Sequence, residues 1–269
     1  MYEFEYQNPT SADAALAAHQ NADDGLFLAG GQTIITVMKQ RLAMPSDVID
    51  LNGIGELQGI STGEGNVIIG AMTTHAEVAA SDDVCRLIPA LADLAGRIGD
   101  PHVRNRGTLG GSIANNDPAA DYPVAVVALG ATIHTNKRQI SAKDFFTGLF
   151  ETALEEGELI IRVDFPVPEK AAYEKIPNPA SRFAIVGVFI AKFAGDVRVA
   201  VTGAGPCVFR VPEMETALNT DFSTAALDGI GVDAGGLNSD MHGSAEYRAQ
   251  LINVAARRSV TNVGQGDRK

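Results

Sequence analysis

The 269-residue chain has no tryptophan and only two cysteines, Cys85 and Cys207. Two thiols so far apart match neither a metal-ligand spacing nor a disulfide framework. They also fall short of the four thiolates that an iron–sulfur cluster normally takes. The histidines, His19, His75, His102, His134 and His242, are scattered and show none of the close spacing of a metal site. Positive charge is in deficit, with 21 Lys+Arg against 33 Asp+Glu for a net −12, which argues against a nucleic-acid backbone as the main partner. No apolar run reaches the roughly 18 residues of a membrane helix, and Met1 to Glu5 offers neither a basic region nor an apolar signal core. A soluble, cytoplasmic protein without an integral membrane segment is therefore expected. Missing too are a lysine after a glycine loop of the Walker type and a Gly-x-Ser-x-Gly elbow. The run from Gly53 to Gly59 is one residue too long for the dinucleotide fingerprint.

What the chain does have is an ordinary apolar fraction of 45% and 28 glycines, which fits a globular protein with room for about two domains. Three blocks follow from periodicity and breakers. In the first, Tyr2 to Tyr6 alternates as a strand does, and Ser11 or Asp13 caps a helix over Ala14 to Ala18. Gly25 to Ala29 is a strand, Gln32 to Arg41 a helix with Ile34, Ile35, Met38 and Leu42 on one side, and Asp47 to Leu51 another strand. This order predicts a small parallel sheet with a crossover helix. In the second block Val67 to Gly70 is a strand and Thr74 caps a short helix. The spacing predicts a long helix over Val84 to Ile98, then a loop from Gly99 to Asp121. A buried helix over Tyr122 to Leu129 follows, with strands at Ala131 to His134 and Glu158 to Phe165. Pro166 to Pro168 marks a boundary. The third block has a β-rich run over Arg182 to Phe193. Asp196 to Val201 alternates as in a sheet with one wet face. Its closing helix, Ser244 to Val260, places Tyr247, Leu251, Val254 and Ala255 on one face.

Two glycine-rich loops carry the chemistry. Ala29-Gly30-Gly31-Gln32-Thr33 joins an apolar strand to an amphipathic helix. Backbone without side chains lets a ligand approach closely, and free amides at a helix start favour phosphate oxygens. A turn needing two glycines explains the same residues. The second loop, Arg104 to Asp117, sets Thr108-Leu109-Gly110-Gly111-Ser112 in an apolar neighbourhood, and a glycine-permitted crossing of two backbones is its plain alternative. One diphosphate held between them accounts for both, because local amide dipoles outweigh distant screened charge. His102, beside Arg104 and Arg106, is either catalytic or a loop anchor. Asp117 sits in a turn that Asx hydrogen bonding explains. Lys175 is either a solvated strand lysine or a functional cation.

Together, Ala29-Gly30-Gly31-Gln32-Thr33 and Thr108-Leu109-Gly110-Gly111-Ser112 resemble the loops of FAD-binding medium subunits of the molybdenum hydroxylases. Within that family the medium chain of aerobic carbon monoxide dehydrogenase is the nearer likeness, and the xanthine dehydrogenase FAD domain a more distant one. The likeness extends through Ile98 to Thr108, Asp117 to Pro123, Asp144 to Phe146, Glu158 to Ile160 and Tyr173 to Lys175, and fades after about residue 215. It implies an α+β protein: a vanillyl-alcohol-oxidase-type FAD-binding fold in two α/β subdomains, residues 1–58 and 59–170. An antiparallel sheet-and-helix domain, 171–269, would follow, of the kind found at the C-terminus of carbon monoxide dehydrogenase flavoproteins. It further implies that noncovalent FAD is held by Ala29, Gly30, Gly31, Gln32, Thr33, Ile34, Thr108, Leu109, Gly110, Gly111 and Ser112. Asp121 would be an acidic contact to the cofactor, and Ile160 would lie beside the flavin or adenine. Lys175 would reach the isoalloxazine, where a cation stabilises negative charge on the reduced ring. Ile98 stands where xanthine-type members carry an aromatic residue, and Gln32 replaces the usual His, Ser or Thr.

The implied role is electron transfer. A large subunit would hold the molybdenum cofactor and a small subunit two [2Fe–2S] clusters, two such heterotrimers would associate, and FAD would pass electrons to an external acceptor. The cysteine count agrees, since this chain cannot supply clusters. A stand-alone FAD oxidase of the same fold and a flavin-free assembly module are the alternatives. Carbon monoxide, aldehydes and nitrogen heterocycles are all open as substrates of the complex.

Overall fold

The computed structural model describes residues 1–265; residues 266–269, which the third block includes, lie outside the described residues. In the first block, β1 (Glu5–Gln7), α1 (Ala12–Asn21), β2 (Gly25–Leu28), α2 (Ile34–Lys39) and β3 (Asp47–Asp50) follow in order. The strands form a parallel sheet ordered β1-β3-β2. Ser11 caps α1 by accepting the Ala14 N–H, the standard way to satisfy a free amide at a helix start. Helix α2 is shorter than its periodicity predicts. Arg41 adopts a positive φ of 59° and Leu42 is exposed, so the last apolar position of the pattern falls outside the helix.

The second block opens with β4 (Ile60–Gly63) and β5 (Asn66–Gly70), and then a run of short helices. These are α3 (His75–Ala80), α4 (Asp82–Leu87), α5 (Pro89–Gly96), α6 (Pro101–Arg104), α7 (Leu109–Asn115) and α8 (Tyr122–Leu129). Strands β6 (Thr132–Thr135) and β7 (Gln139–Ser141), α9 (Ala142–Phe145), the hairpin β8 (Phe146–Gly148) with β9 (Glu151–Thr152), and β10 (Ile160–Pro166) complete it. The main sheet is antiparallel, ordered β4-β5-β10-β6-β7. Two expectations are corrected here. The single helix over Val84 to Ile98 is broken between α4 and α5, because Pro89 has no amide to donate and Ile88 leaves the helical region at φ −137°. The stretch from Gly99 to Asp121 is no structureless loop: Asp100 caps α6 by accepting the His102 and Val103 amides. Thr108 caps α7 through the Gly111 amide. Helix α8 is buried on nearly all sides, as a helix apolar around its whole circumference must be.

The third block contains β11 (Lys170–Pro177), β12 (Ala184–Phe193), β13 (Asp196–Thr202), β14 (Phe209–Arg210), α10 (Pro212–Thr220) and α11 (Ala245–Gln265). The strands form one antiparallel sheet in chain order. Its alternation suggested one wet face, yet both faces are largely covered. Val186, Val188, Ile190, Val197, Val199 and Val201 pack under α10 and α11. On the other face Tyr173, Phe189, Ala191 and Ala200 join the core of the second block, where alanines let α8 lie close to the sheet. Each fully buried valine or leucine side chain in these layers contributes about 1.5–3 kcal/mol. The buried face of α11 also differs from the periodic reading. Tyr247 and Val254 are exposed, and the helix rests on Ala249, Ile252, Ala255, Ala256 and Val260. Small residues win that face because they permit close approach to β12. Among the described residues no helix is long and apolar enough to cross a membrane.

Candidate functional site: the cleft where two glycine turns meet

One cavity of about 400 Å³ opens between the blocks, within the size range of small-molecule and cofactor sites. Four places in the fold wall it: the turn from β2 to α2, the turn from α6 to α7, the start of β10, and Asp121 at the head of α8.

In the first turn Gly31 holds a positive φ of 70°, which favours glycine. Gly30 lies against the other turn so closely that a Cβ would overlap the Arg106 carbonyl oxygen and come within 2.7 Å of Gly107 Cα. Gln32 Nε2 donates to Gly30 O at 3.2 Å and Asn52 Nδ2 to Ala29 O at 3.2 Å, fixing the path of the chain. The Gly31, Gln32 and Thr33 amides have no acceptor among the described residues, and the Thr33 hydroxyl makes no capping bond. These are open donors on the cavity wall.

The second turn is built differently. Leu109 N–H donates to Thr73 O (3.1 Å), Gly110 N–H to Ala71 O (2.8 Å) and Ser112 N–H to Thr108 O (3.0 Å). Gly111 N–H donates to Thr108 Oγ1 at 3.1 Å. The expectation that both turns offer free amides thus holds for the first turn, whereas in the second the fold itself uses those of residues 109–112. A Cβ on Gly110 would come within 2.7 Å of Ala71 Cβ, so this glycine admits the Gly70–Thr73 turn rather than a ligand. Gly111 is where the two turns close on each other, its Cβ position lying 3.2 Å from Ala29 Cβ.

Of the residues singled out in the sequence, Ala29, Gly30, Gly31, Gln32, Thr33, Ile34, Thr108, Gly110, Gly111, Ser112, Asp121 and Ile160 line the cavity. Leu109 does not; it is fully buried in the core of the second block. Nor does Lys175, which is buried rather than solvated. Its Nζ pairs with Asp121 Oδ2 at 2.8 Å and donates to Arg97 O at 3.2 Å. Arg97 returns the contact through Lys175 O at 3.1 Å and stands over the Tyr173 ring. Tyr173 donates its phenol proton to Asp121 Oδ1. Lys175 therefore stands behind Asp121 instead of in the cleft. Burial pushes the Asp121 carboxyl above its ordinary range, opposed by Lys175 and Tyr173.

Glu158 is a second buried carboxylate at the cleft. Burial alone would raise it, but hydrogen bonds from Arg138, the Glu155 amide and Thr135 bring it down to about 2. His102 is exposed and its ring makes no hydrogen bond among the described residues. The anchor of that turn is Arg104, which donates to Ile98 O and Gly99 O. Asp117 accepts the Ala119 amide, the Asx turn its position suggests.

Among the lining residues that were not expected as cofactor contacts are Phe183, Val103 and His75. Phe183, after Arg182 in a left-handed conformation, is 47% exposed at the cleft edge. Val103 and His75 stand nearby on the wall. An apolar residue in a turn and a histidine at a helix start look ordinary until the fold brings them together.

Open amides, glycines that a side chain would fill, and an apolar wall suit a nucleotide cofactor with a diphosphate. A family model described as the FAD binding domain in molybdopterin dehydrogenase matches residues 2–168. The class is thus a FAD-binding oxidoreductase domain. The nicotine 6-hydroxylase medium subunit of Paenarthrobacter nicotinovorans is 33% identical over 96% of both chains. The carbon monoxide dehydrogenase medium chain of Afipia carboxidovorans is 33% identical over 96% of this chain and 95% of its own. Quinoline 2-oxidoreductase from Pseudomonas putida 86 superposes with a TM-score of 0.88 at 29% identity, over 98% of both chains. The chain belongs to the FAD-binding medium subunits of the molybdenum hydroxylase family, close to the carbon monoxide dehydrogenase medium chains and the xanthine dehydrogenase FAD domain. The likeness does not fade at residue 215, since these matches run over nearly the whole chain.

Proposed function

We propose that this chain is the electron-transfer subunit of a heterotrimeric molybdenum hydroxylase, taking electrons from [2Fe–2S] clusters on a small partner subunit and passing them to an external acceptor. A large partner would carry the molybdenum cofactor, and two heterotrimers would associate in the cytoplasm. The observation that carries this reading is the meeting of the two glycine turns at a cleft with open amides on one wall.

FAD, bound there noncovalently, would supply chemistry that exchanges electrons singly or in pairs. Gly31, Gln32 and Thr33 would give amide donors to the diphosphate. Gly30 and Gly111 keep the turns close, and Ser112 adds a hydroxyl. Ile98, Val103 and Phe183 offer an apolar patch for a flat ring, and Ile160 extends the wall. Asp121, held by Lys175 and Tyr173, would present a positioned carboxylate to the cofactor. In this reading residues 1–58 and 59–170 are two subdomains of a vanillyl-alcohol-oxidase-type fold, and 171–269 is the C-terminal domain that closes the cleft from behind. Relatives named for nicotine and for carbon monoxide match equally well, so overall similarity does not select the substrate of the complex.

The test is reconstitution. Purified chain stripped of cofactor should take up one FAD per chain, with the absorbance of a bound flavin. It should be reduced by dithionite but not directly by carbon monoxide, aldehydes or N-heterocycles. Direct bleaching by one of those substrates would favour a stand-alone oxidase. A chain that remains colourless with excess FAD would favour an assembly module.

A further inference from the structure

His75 lies at the start of α3, on the cleft wall, with 4% of its surface exposed. Its backbone is tied to the second turn by His75 N–H donating to Gly107 O at 3.0 Å. The ring leans on Tyr122, centroids 5.3 Å apart at 49°. On the other side a Cβ at Gly107 would stand 2.5 Å from Nε2, so the absence of a side chain there makes room for the imidazole. The ring is clamped, yet neither nitrogen has a partner among the described residues. Nδ1 is sealed from solvent and unpaired, while Nε2 is unpaired without being sealed. Burial, with Arg104 nearby, pulls the group down to about 4, so the ring is neutral at physiological pH and carries one proton. Placing that proton on Nδ1 would strand a buried donor; placing it on Nε2 strands only a lone pair, the lesser cost. The tautomer follows from which nitrogen can find a partner.

We propose that His75 is a further cofactor-contacting residue, its neutral imidazole donating from Nε2 to an acceptor oxygen of the dinucleotide held in the cleft. This rests on the reading of the cleft as the FAD site. The acceptor is a diphosphate oxygen or a ring carbonyl, both of which the same donor fits.

The experiment uses the cofactor-stripped full-length chain, titrated separately with FAD, ADP and riboflavin. His75→Leu should weaken FAD binding about tenfold, the loss that goes with one buried hydrogen bond. His75→Gln, which keeps a donor, should restore most of it. A matching loss for ADP assigns the diphosphate as acceptor, and a matching loss for riboflavin assigns the ring. Should His75→Leu fail to fold, the imidazole nitrogens of ¹⁵N-histidine-labelled wild type decide: an Nε2–H tautomer whose resonance moves on adding FAD is expected. Unchanged FAD affinity in a folded His75→Leu variant overturns the proposal, as does an Nδ1–H tautomer or a resonance that does not move. If the wild type itself takes up no FAD, the functional reading fails along with it; if the wild type binds and the variants bind equally, only the role of His75 is lost.

Discussion

At the scale of single residues, the Asp121–Lys175 pair separates two accounts of the same lysine. A lysine reaching into the cleft would be dispensable for the empty protein. A lysine buried against a buried carboxylate is not, because removing it leaves an uncompensated charge in a dry environment. Lys175→Met should therefore destabilise the cofactor-free chain by about 3–5 kcal/mol, and pairing it with Asp121→Asn should recover much of that loss. Denaturant unfolding of the two variants checks this, and an unchanged single variant would show that the pair carries no stability. Neither the partnership nor the burial of Lys175 is visible in Tyr173-Glu174-Lys175 as a string, since strand alternation gives a lysine a face but not what covers it. The cysteines are the opposite case. Cys85 is exposed and Cys207 half-buried, both free thiols, and neither lines the cleft. Replacing both with serine should leave flavin content unchanged by absorbance.

At the scale of elements, the glycine turns were recognisable from composition, but the reason for each glycine was not. Gly110 lies in a motif that suggests ligand approach, yet its missing side chain is filled by Ala71. Gly110→Val should lower the melting temperature of the cofactor-free chain, with loss of FAD following from the damaged fold. If the variant melts as the wild type does, the packing assignment is wrong. Glu158 ties the hairpin at Arg138 to the loop before β10, through Arg138 Nη2 at 3.0 Å and the Glu155 amide at 2.9 Å. Its carboxyl is held down to about 2 in the folded chain. The unfolded state therefore binds the proton more readily, and the stabilisation is present above about pH 4.5 and lost as pH falls toward 2. It is on the order of 2–3 kcal/mol. Glu158→Gln should flatten the acid limb of a stability–pH curve across that interval.

At the scale of the whole molecule, the cleft exists because the three larger sheets bring their loops together. Helix α8 joins the second and third blocks: its N-terminal neighbour Asp121 faces the cavity while its body packs on the sheet of the third block. Arg248 of α11, 4% exposed, donates to Ile185 O and Gly203 O, each at 2.8 Å, and pairs with Asp240. A ligand bound only by the assembled cleft raises stability with its concentration, so FAD should raise the melting temperature in a dose-dependent way, and ADP should do so less. The amino-acid string by itself determined the parallel β/α start, the buried α8, the two glycine turns and the shortage of thiols. Each of these is a local matter of periodicity, breakers and counts. Only the tertiary structure decided that the amides of residues 109–112 are spent on Ala71, Thr73 and Thr108, that Lys175 stands behind Asp121, and that His75 and Phe183 border the same cavity. Hydrogen-bond partners and burial depend on which distant segments pack together, and spacing along a chain does not encode that.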